Sequence, residues 1–378
     1  MKYYIIAGEA SGDLHGSNLV RELIRLDKDA SIRCWGGDKM QEAGATVVKH
    51  YRDLAFMGFT EVIKNLPAII KNLGFCKTDI LSFRPDVLIL IDYPGFNLRI
   101  AKWAKKQGLK VIYYISPQVW AWKENRVHTI KKCVDKMLVI LPFEKEFYRK
   151  WNYEVIYVGH PLVEVIDEFL QKNKPENNSP GNIKKIIALL PGSRKQEILK
   201  KLPLMLEVSR QLPDYQFIVA KAPGLDASFY SELLAPYTNV TSVSGKTYEL
   251  LSTSAAALVT SGTATLETAL FGVPEIICYK GNPVSYQIAK RLIKIKFIGL
   301  VNLILDKEVV KELIQDDLTV ANILAELTLL LENPQKQQQV KADYAALKEL
   351  LGRGGHASAN AAKCIQAFLL NRATSISV

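Results

Sequence analysis

The sequence has few cysteines, and no two of them lie close together. The five cysteines are odd in number, widely scattered and never arranged as a CxxC pair. We therefore expect neither a disulfide framework nor a thiolate zinc site, and a reducing cytosol fits this usage best. The five histidines, at positions 15, 50, 128, 160 and 356, are isolated from one another as well. The sequence predicts no metal site and gives no sign of a cofactor.

Long hydrophobic runs are also missing. No apolar run reaches the roughly 18 residues that a membrane-spanning helix needs. Met1 and Lys2 lead directly into a strand-like run, Tyr3–Ile6, with no charged-then-apolar leader before it. We therefore expect a cytoplasmic protein that is neither secreted nor transmembrane.

Three nucleotide or hydrolase motifs are absent. The chain has no GxGxxG fingerprint of nicotinamide enzymes, no Walker A loop and no GxSxG nucleophile turn. The net charge of +11 favours an anionic partner. Charge alone does not decide whether that partner is nucleic acid, an anionic membrane or a phosphorylated substrate. No nucleic-acid-binding module accompanies that charge, so we expect no nucleic-acid partner.

What the sequence does contain is a repeated alternation of short β-branched runs with longer helical segments. This alternation is typical of βαβ units that build a parallel sheet covered on both faces. The pattern runs once through the first half of the 378 residues and restarts near residue 186. The predicted strands are 3–7, 32–35, 86–91, 110–115, 136–141, 155–158, 186–190, 216–220, 240–243, 256–260 and 275–279.

These two sets of strands predict an α/β protein with two Rossmann-like, doubly wound domains. Residues 1–171 form the first, and 185–351 form the second. The linker is expected at 172–184, where Asn, Pro, Gly and Lys are concentrated and almost nothing is apolar. The tail, 352–378, begins with a glycine-rich break and continues as a helix with an apolar stripe, which must bury against another surface.

In open α/β sheets, ligands bind outside the carboxyl ends of the strands, and two acidic turns follow strands of the first domain. In the first turn, Glu9, Ser11 and Asp13 are candidates for contact with sugar hydroxyls; alternatively, Asp13 only complements the helix dipole and Glu9 is solvated. In the second, Asp92 ends a buried strand, where a partly desolvated carboxylate is placed to act as a general base. A plain turn or capping role for Asp92 is the alternative.

Two turns of the second domain suit a nucleotide. Backbone N–H groups, a hydroxyl and a guanidinium in one strand-to-helix turn suit a diphosphate, although the arginine is alternatively a surface cation. In the other turn, an acidic residue one helical turn in can accept hydrogen bonds from both hydroxyls of a ribose, or simply compensate the helix dipole. The first turn comprises Gly192, Ser193 and Arg194; the second comprises Ser261, Gly262, Thr263 as the expected N-cap, and Glu267.

One segment has the pattern of an interfacial amphipathic helix. Its apolar residues recur at helical spacing with lysines nearby, and Pro67 implies a kink or restart. A basic segment at 286–300 offers a second surface for phosphate headgroups. A core-facing helix with a solvated cationic edge is the alternative for both. The candidate membrane or acceptor contacts in the first segment are Phe59, Ile63, Leu66 and Ile70.

Taken in order, the motifs resemble one family along nearly the whole chain. GEASGD (8–13), PDVLILIDYPGFN (85–97), SPQVWAW (116–122), LPFEKEFY (141–148), LLPGSR (189–194), SGTATLE (261–267) and AKRLIKIKFIGLVNLI (289–304) are similar to those of the lipid A disaccharide synthases. The resemblance implies a GT-B architecture, with two Rossmann-like domains facing a cleft. It also implies a peripheral association with the inner membrane, and it leaves a homodimer with exchanged C-terminal parts open.

The resemblance implies an inverting transfer without metal. UDP-2,3-diacylglucosamine and 2,3-diacylglucosamine 1-phosphate would give the β(1→6) disaccharide 1-phosphate and UDP. Asp92 matches the family's proposed general base and Glu9 its N-terminal acidic residue, so the resemblance implies that both are catalytic. Arg194, Glu267 and Asn302 match positions implicated in UDP binding. The chain departs from the family pattern at Gly95, where members often carry a second aspartate.

Other classes of protein share parts of this pattern. A peptidoglycan glycosyltransferase or a UDP-GlcNAc 2-epimerase would have the same architecture, but the GEASGD and SPQVWAW motifs argue against both. A noncatalytic protein that binds UDP or lipid would keep the fold as well, and the retained Asp92 argues against that alternative.

Overall fold

A computed structural model describes residues 1–54, 66–173, 185–222, 224–282, 286 and 295–370 of the chain. Its contacts divide the chain into two compact units, residues 1–161 with 351–378, and residues 162–350. The boundary lies after the first residue of the helix Pro161–Lys172, ten residues earlier than the first domain boundary expected from composition. Of the expected linker at 172–184, only the first two residues lie within the described part of the chain.

Within the described residues, the first unit contains a seven-stranded sheet in the order β3-β2-β1-β4-β5-β6-β7, and all the paired strands are parallel. The central strands are rich in β-branched and aromatic residues and are buried except for Lys2, as a sheet covered on both faces requires. The strands are β1 Lys2–Ala7, β2 Ser31–Gly36, β3 Thr46–His50, β4 Val87–Ile91, β5 Val111–Tyr114, β6 Lys136–Val139 and β7 Ile156–Tyr157.

Helices connect these strands and cover the sheet. The longest described ones place apolar stripes on the sheet, and Leu19 and Leu23 of the first helix are completely buried. The helices of this unit are α1 Ala10–Leu26, α2 Asp38–Glu42, α3 Leu66–Phe83, α4 Pro94–Lys106, α5 Val119–Trp122, α6 Val127–Cys133 and α7 Glu144–Arg149.

The second unit repeats the plan with a six-stranded sheet, counted over the described residues, in the order β10-β9-β8-β11-β12-β13. All of its pairs are parallel too. Its elements are α8 Pro161–Lys172, β8 Ile186–Leu190, α9 Lys195–Gln211, β9 Gln216–Lys221, α10 Ala227–Leu234, β10 Val240–Ser244, α11 Thr247–Thr253, β11 Ser254–Thr260, α12 Thr263–Leu270, β12 Glu275–Tyr279, α13 Leu300–Leu305, β13 Lys311–Ile314, α14 Val320–Glu332 and α15 Pro334–Gly352.

The last helix, α16 (Ala357–Leu369), belongs to the first unit. Its buried stripe, which includes Ala361 and Ile365, joins the same apolar cluster as β1 and α1. Just before α16, Gly354 packs directly on the backbone of Gly159 in the first unit. The C-terminal segment is therefore a structural part of the unit that the N-terminus begins.

Each sheet has one place where the strand order reverses. In the first unit it lies between β1 and β4, and in the second between β8 and β11. Open α/β sheets bind ligands at such switch points, outside the carboxyl ends of the strands. The four turns that the sequence singled out follow these four strands, so the topology brings them together in pairs, one pair in each unit.

Candidate active site

The turn after β4 holds Asp92 in a strained conformation. Asp92 and Tyr93 have φ angles of 40° and 49°, a left-handed region that costs a residue with a side chain about 1–2 kcal/mol. Asn97 compensates, because its Nδ2 donates to the carbonyl oxygens of Asp92 at 2.8 Å and Ile91 at 3.1 Å. The Tyr113 hydroxyl donates to the same Asp92 carbonyl at 2.6 Å. These bonds fix the backbone that carries the carboxylate.

The environment of Asp92 gives its carboxyl an unusual proton affinity. Burial, and then the nearby carboxylate of Glu9, raise the pKa of Asp92 to about 7, while a hydrogen bond from the Tyr93 backbone opposes the shift. Glu9 is near because β1 and β4 pair in register, with Ala7 opposite Ile91. A carboxylate with a pKa near the working pH is a good general base.

Gly8 lets the two turns approach closely. A Cβ atom on Gly8 would lie 2.4 Å from the ring of Tyr93, so only glycine fits beneath this side chain. Glu9 follows as the N-cap residue of α1, and Ser11 is exposed in the first turn of that helix. Both are placed at the switch point where the sequence predicted acceptor contacts.

Asp13 has a different role from the predicted acceptor contact. Its side chain is only 3% exposed, and its oxygens accept hydrogen bonds from the backbone N–H groups of Gly37 at 2.7 Å, Met40 at 3.1 Å and Lys39 at 3.2 Å. Asp13 therefore caps the N-terminus of α2 and ties it to α1. With its oxygens engaged by these donors, we assign it to the fold rather than to a ligand.

In the second unit, Gly192, Ser193 and Arg194 form the turn from β8 to α9. Gly192 has a φ of +124°, while Ser193 and Arg194 are exposed. The Arg194 guanidinium donates to Glu197 at 3.0 Å and remains 55% exposed. The turn presents a hydroxyl and a cation at the start of a 17-residue helix, an arrangement that suits a phosphate group.

The turn from β11 to α12 lies next to the turn from β8 to α9, and the helix that follows it carries the carboxylate of Glu267. Oε1 of Glu267 accepts a hydrogen bond from the Tyr248 hydroxyl at 2.9 Å, and burial raises the pKa of Glu267. The Ser261 hydroxyl donates to the Ile298 carbonyl at 2.9 Å. Gly262, not Thr263, is the N-cap residue of α12, and Thr263 is the exposed first residue of the helix. The prediction of Thr263 as N-cap was wrong by one position.

Asn302 is not available to a ligand through its side chain. Its Nδ2 donates to the Val310 carbonyl at 2.8 Å and to Glu312 at 2.9 Å, and its Oδ1 accepts from the N–H groups of Val309 and Val310. These four bonds use the whole capacity of the amide, and the residue is fully buried. The UDP contact that the resemblance implied for Asn302 is therefore replaced by a structural role, which ties α13 to β13.

The predicted membrane segment is only partly within the described residues. Phe59 and Ile63 lie outside them, and α3 begins at Leu66. Further along this helix, Ile70 is 60% exposed, Leu81 50% and Phe75 48%, and these are three of the six large exposed apolar side chains in the described part. Most of the basic segment 286–300 also lies outside the described residues.

Two absences hold for the described part of the chain. No group of three or more potential ligands among His, Cys, Asp and Glu is placed to hold a metal ion there. Nor does that part contain a helix with the length and apolar content needed to cross a bilayer. All five cysteines are free and buried.

Sequence reasoning gave no role to three residues that support the site. Asn97 and Tyr113 hold the Asp92 turn, and Tyr248 holds Glu267. Asn97 carried a usable signal, because an amide in the first turn of a helix after a strand often bonds to backbone carbonyls. The two tyrosines carried none, because their partners lie 19 and 21 residues away in the sequence.

Solved structures of an epimerase and of a glycosyltransferase share this fold. A UDP-GlcNAc 2-epimerase from Neisseria meningitidis, bound to UDP-GlcNAc, matches with a TM-score of 0.69 at 14% identity and covers 98% of this chain and 100% of its own. A calicheamicin glycosyltransferase matches with a TM-score of 0.60 at 16% identity, with 98% of each chain covered. The fold is that of the GT-B glycosyltransferases and related epimerases, and the predicted two-domain α/β class is confirmed.

Sequence comparison is more specific. The family model described as lipid-A-disaccharide synthetase matches residues 3–367. The lipid-A-disaccharide synthase of Geobacter sulfurreducens is 42% identical over 359 residues, 93% of both chains, and that of Coxiella burnetii is 39% identical over 374 residues, 97% of this chain and 98% of its own. The chain belongs to the lipid-A-disaccharide synthase family of glycosyltransferases, which join the two acylated glucosamine units in lipid A biosynthesis.

Proposed function

We propose that this chain transfers 2,3-diacylglucosamine from UDP to the 6-hydroxyl of 2,3-diacylglucosamine 1-phosphate, with inversion at the anomeric carbon. The hydroxyl attacks opposite the UDP leaving group, and its proton passes to Asp92. The donor's α linkage becomes a β(1→6) linkage in a single displacement, and the products are the disaccharide 1-phosphate and UDP.

The observation that carries this proposal is the environment of Asp92. A carboxylate at a switch point, in a strained turn and with a pKa near 7, is arranged for proton transfer. Asn97 and Tyr113 stabilise the strained turn through the backbone carbonyl of Asp92. These two bonds do not involve the Asp92 carboxylate, which can therefore act on a ligand. Glu9 acts by tuning this carboxylate, since its charge raises the pKa of Asp92.

The second unit supplies the donor site. Arg194 and the N–H groups of its turn would bind the diphosphate, and Glu267 would accept hydrogen bonds from the ribose hydroxyls. Ser261, Gly262 and Thr263 would complete the wall of this site at the start of α12. Preorganised donors of this kind stabilise the charge that develops on departing UDP, so we expect turnover to survive EDTA.

Alanine substitution at Arg194 or Glu267 tests the donor site. Each change removes a charge-assisted hydrogen bond, so we expect UDP affinity to fall by about 10- to 100-fold. Calorimetric titration with UDP measures this directly. Lys195→Ala, which removes the exposed neighbouring cation, is the control and is expected to bind UDP within about threefold of the wild type. Unchanged UDP binding in both site variants would refute the assignment.

Glu9→Gln tests how Asp92 is tuned. Because the Glu9 charge raises the pKa of Asp92, removing it should lower that pKa. The base acts when ionised, so kcat/KM rises with pH through the pKa of Asp92, near 7 in the wild type. In Glu9→Gln this acidic limb should move to lower pH. If the acidic limb stays at the same pH in Glu9→Gln, Glu9 does not set the pKa of the base.

For localisation, we propose that the protein works in the cytoplasm at the inner membrane, because both substrates carry fatty acyl chains. Helix α3 supplies the described part of the contact, with Ile70, Phe75 and Leu81 exposed and Lys71 beside them. Apolar side chains flanked by cations combine burial in the headgroup region with attraction to anionic lipid. We leave the oligomeric state open, including a homodimer.

The double variant Ile70→Ser/Leu81→Ser tests the membrane contact. Both side chains are at least half exposed, so the change should lower binding to phosphatidylglycerol vesicles while the melting temperature stays nearly the same. The matched control is Leu199→Ser/Leu329→Ser, which replaces exposed leucines of the second unit and should leave vesicle binding unchanged. Vesicle flotation that is equal for wild type and the α3 variant would contradict the proposal.

A further inference from the structure

A lysine lies inside the second unit where its helix calls for an apolar residue. Lys201 is only 2% exposed and shares the inner face of α9 with Ile198, Leu202 and Met205. Its Nζ donates a hydrogen bond to Oγ1 of Thr260. A fully buried ammonium carries a large desolvation penalty, so its retention calls for a compensating charge.

The position of this ammonium is defined by two strands. Thr260 is the last residue of β11, and Gly192 is the second residue after β8. These strands are paired, with Val259 opposite Leu190. A Cβ atom on Gly192 would lie 3.6 Å from Nζ of Lys201. The ammonium therefore lies at the switch point, directly against the glycine of the turn that carries Arg194.

Among the described residues near this turn, Glu197 interacts with two cations. Burial lowers the pKa of Lys201, and the main opposing influence is the carboxylate of Glu197. That carboxylate already accepts a hydrogen bond from Arg194 at 3.0 Å. One carboxylate is thus shared by two cations, one exposed and one buried. A diphosphate at the turn would supply the negative charge that offsets the burial of Lys201.

We propose that Lys201 is a further diphosphate-binding residue, whose buried ammonium neutralises charge on the nucleotide from the strand side of the turn, opposite the exposed Arg194. This inference rests on the proposed nucleotide site and adds a residue to it. It gives the site a cation that is held in place before the ligand arrives, since a buried side chain loses little freedom on binding. The same charge stabilises UDP as the leaving group.

Binding of UDP and of uridine to the Lys201→Met variant tests the inference. Methionine keeps an apolar stem of similar length but removes the charge and the hydrogen bond to Thr260. We expect UDP affinity to fall by about 10- to 100-fold, while uridine, which has no phosphate, binds as it does to the wild type. Lys200→Met is the matched control, because Lys200 is the exposed neighbour on the same helix, and it should bind both ligands normally. Calorimetry for UDP and ligand-observed NMR for uridine give the two affinities.

The outcomes are distinct. Wild-type UDP affinity in a folded Lys201→Met variant would overturn the proposal, and so would equal losses for UDP and uridine, which indicate a distorted turn. If Lys201→Met melts below the assay temperature, Lys201→Gln replaces it, since its amide can still donate to Thr260. Failure of both variants to fold would assign the ammonium to the core and also overturn the proposal. If the wild-type chain binds no UDP, the proposed nucleotide site itself is wrong.

Discussion

Replacing Asp92 with asparagine should reduce kcat/KM by about 10²- to 10⁴-fold, the usual cost of losing a general base. Asparagine has nearly the same shape and can keep the strained turn, because Asn97 and Tyr113 bond to the backbone carbonyl of residue 92 rather than to its side chain. The melting temperature should therefore not fall, since the change also removes a partly desolvated carboxylate. Turnover with both lipid substrates and thermal melting are the two measurements.

The control for this experiment is Asp29→Asn, which removes an exposed carboxylate of the same unit and should leave turnover unchanged. UDP affinity in Asp92→Asn should equal that of the wild type, because the residues of the proposed donor site belong to the second unit. Near wild-type turnover in Asp92→Asn would remove Asp92 from the chemistry. Lost UDP binding would show that the substitution acts on more than the base.

Gly354→Ala should destabilise the first unit. A Cβ at this position would lie 2.5 Å from both N and Cα of Gly159 and 3.0 Å from the carbonyl carbon of Val158. These are backbone atoms, so no side-chain rotation relieves the overlap, and one of the two segments must move. We expect a loss of about 1–3 kcal/mol in the free energy of unfolding. For a unit of this size, that lowers the melting temperature by roughly 2–12 °C.

Gly352→Ala is the matched control for this prediction. Gly352 is the last residue of α15, and nothing lies within 4 Å of the position that its Cβ would take. The melting temperature of Gly352→Ala should stay within about 2 °C of that of the wild type, because alanine favours the helix. Equal melting of Gly354→Ala and the wild type would mean that the contact with Gly159 does not hold the C-terminal segment on the first unit.

The interior strands were predictable because burial on both faces demands continuous apolar runs, as in β4 and β8. The two strands that sequence reasoning missed, β3 and β13, are each at the edge of a sheet. They read TVVKH and KELI, and the charged residues that protect an edge also hide its strand pattern. The order of the strands depends on long-range pairing, which the local pattern does not contain.

Some site residues were recognisable from the sequence, while the role of others depends on contacts that only the fold shows. Glycines and acidic residues directly after strands were recognisable, because the chain must turn there and the ligand edge of the sheet is known. Asp13 looked the same in sequence, but it bonds to backbone N–H groups of a distant segment. Asn302 entered through the family resemblance alone, and only the fold shows that its amide is already fully bonded. Lys201 did carry a signal, a lysine within an apolar helical stripe, which the sequence reading passed over.

We infer that this chain makes a glycosidic bond between two acylated glucosamines. The most direct test incubates the purified full chain with UDP-2,3-diacylglucosamine and 2,3-diacylglucosamine 1-phosphate, with EDTA present, and analyses the products by mass spectrometry and NMR. We expect UDP and a β(1→6)-linked disaccharide 1-phosphate in equal amounts. Recovery of both monosaccharides unchanged, or release of UDP without the disaccharide, would contradict it.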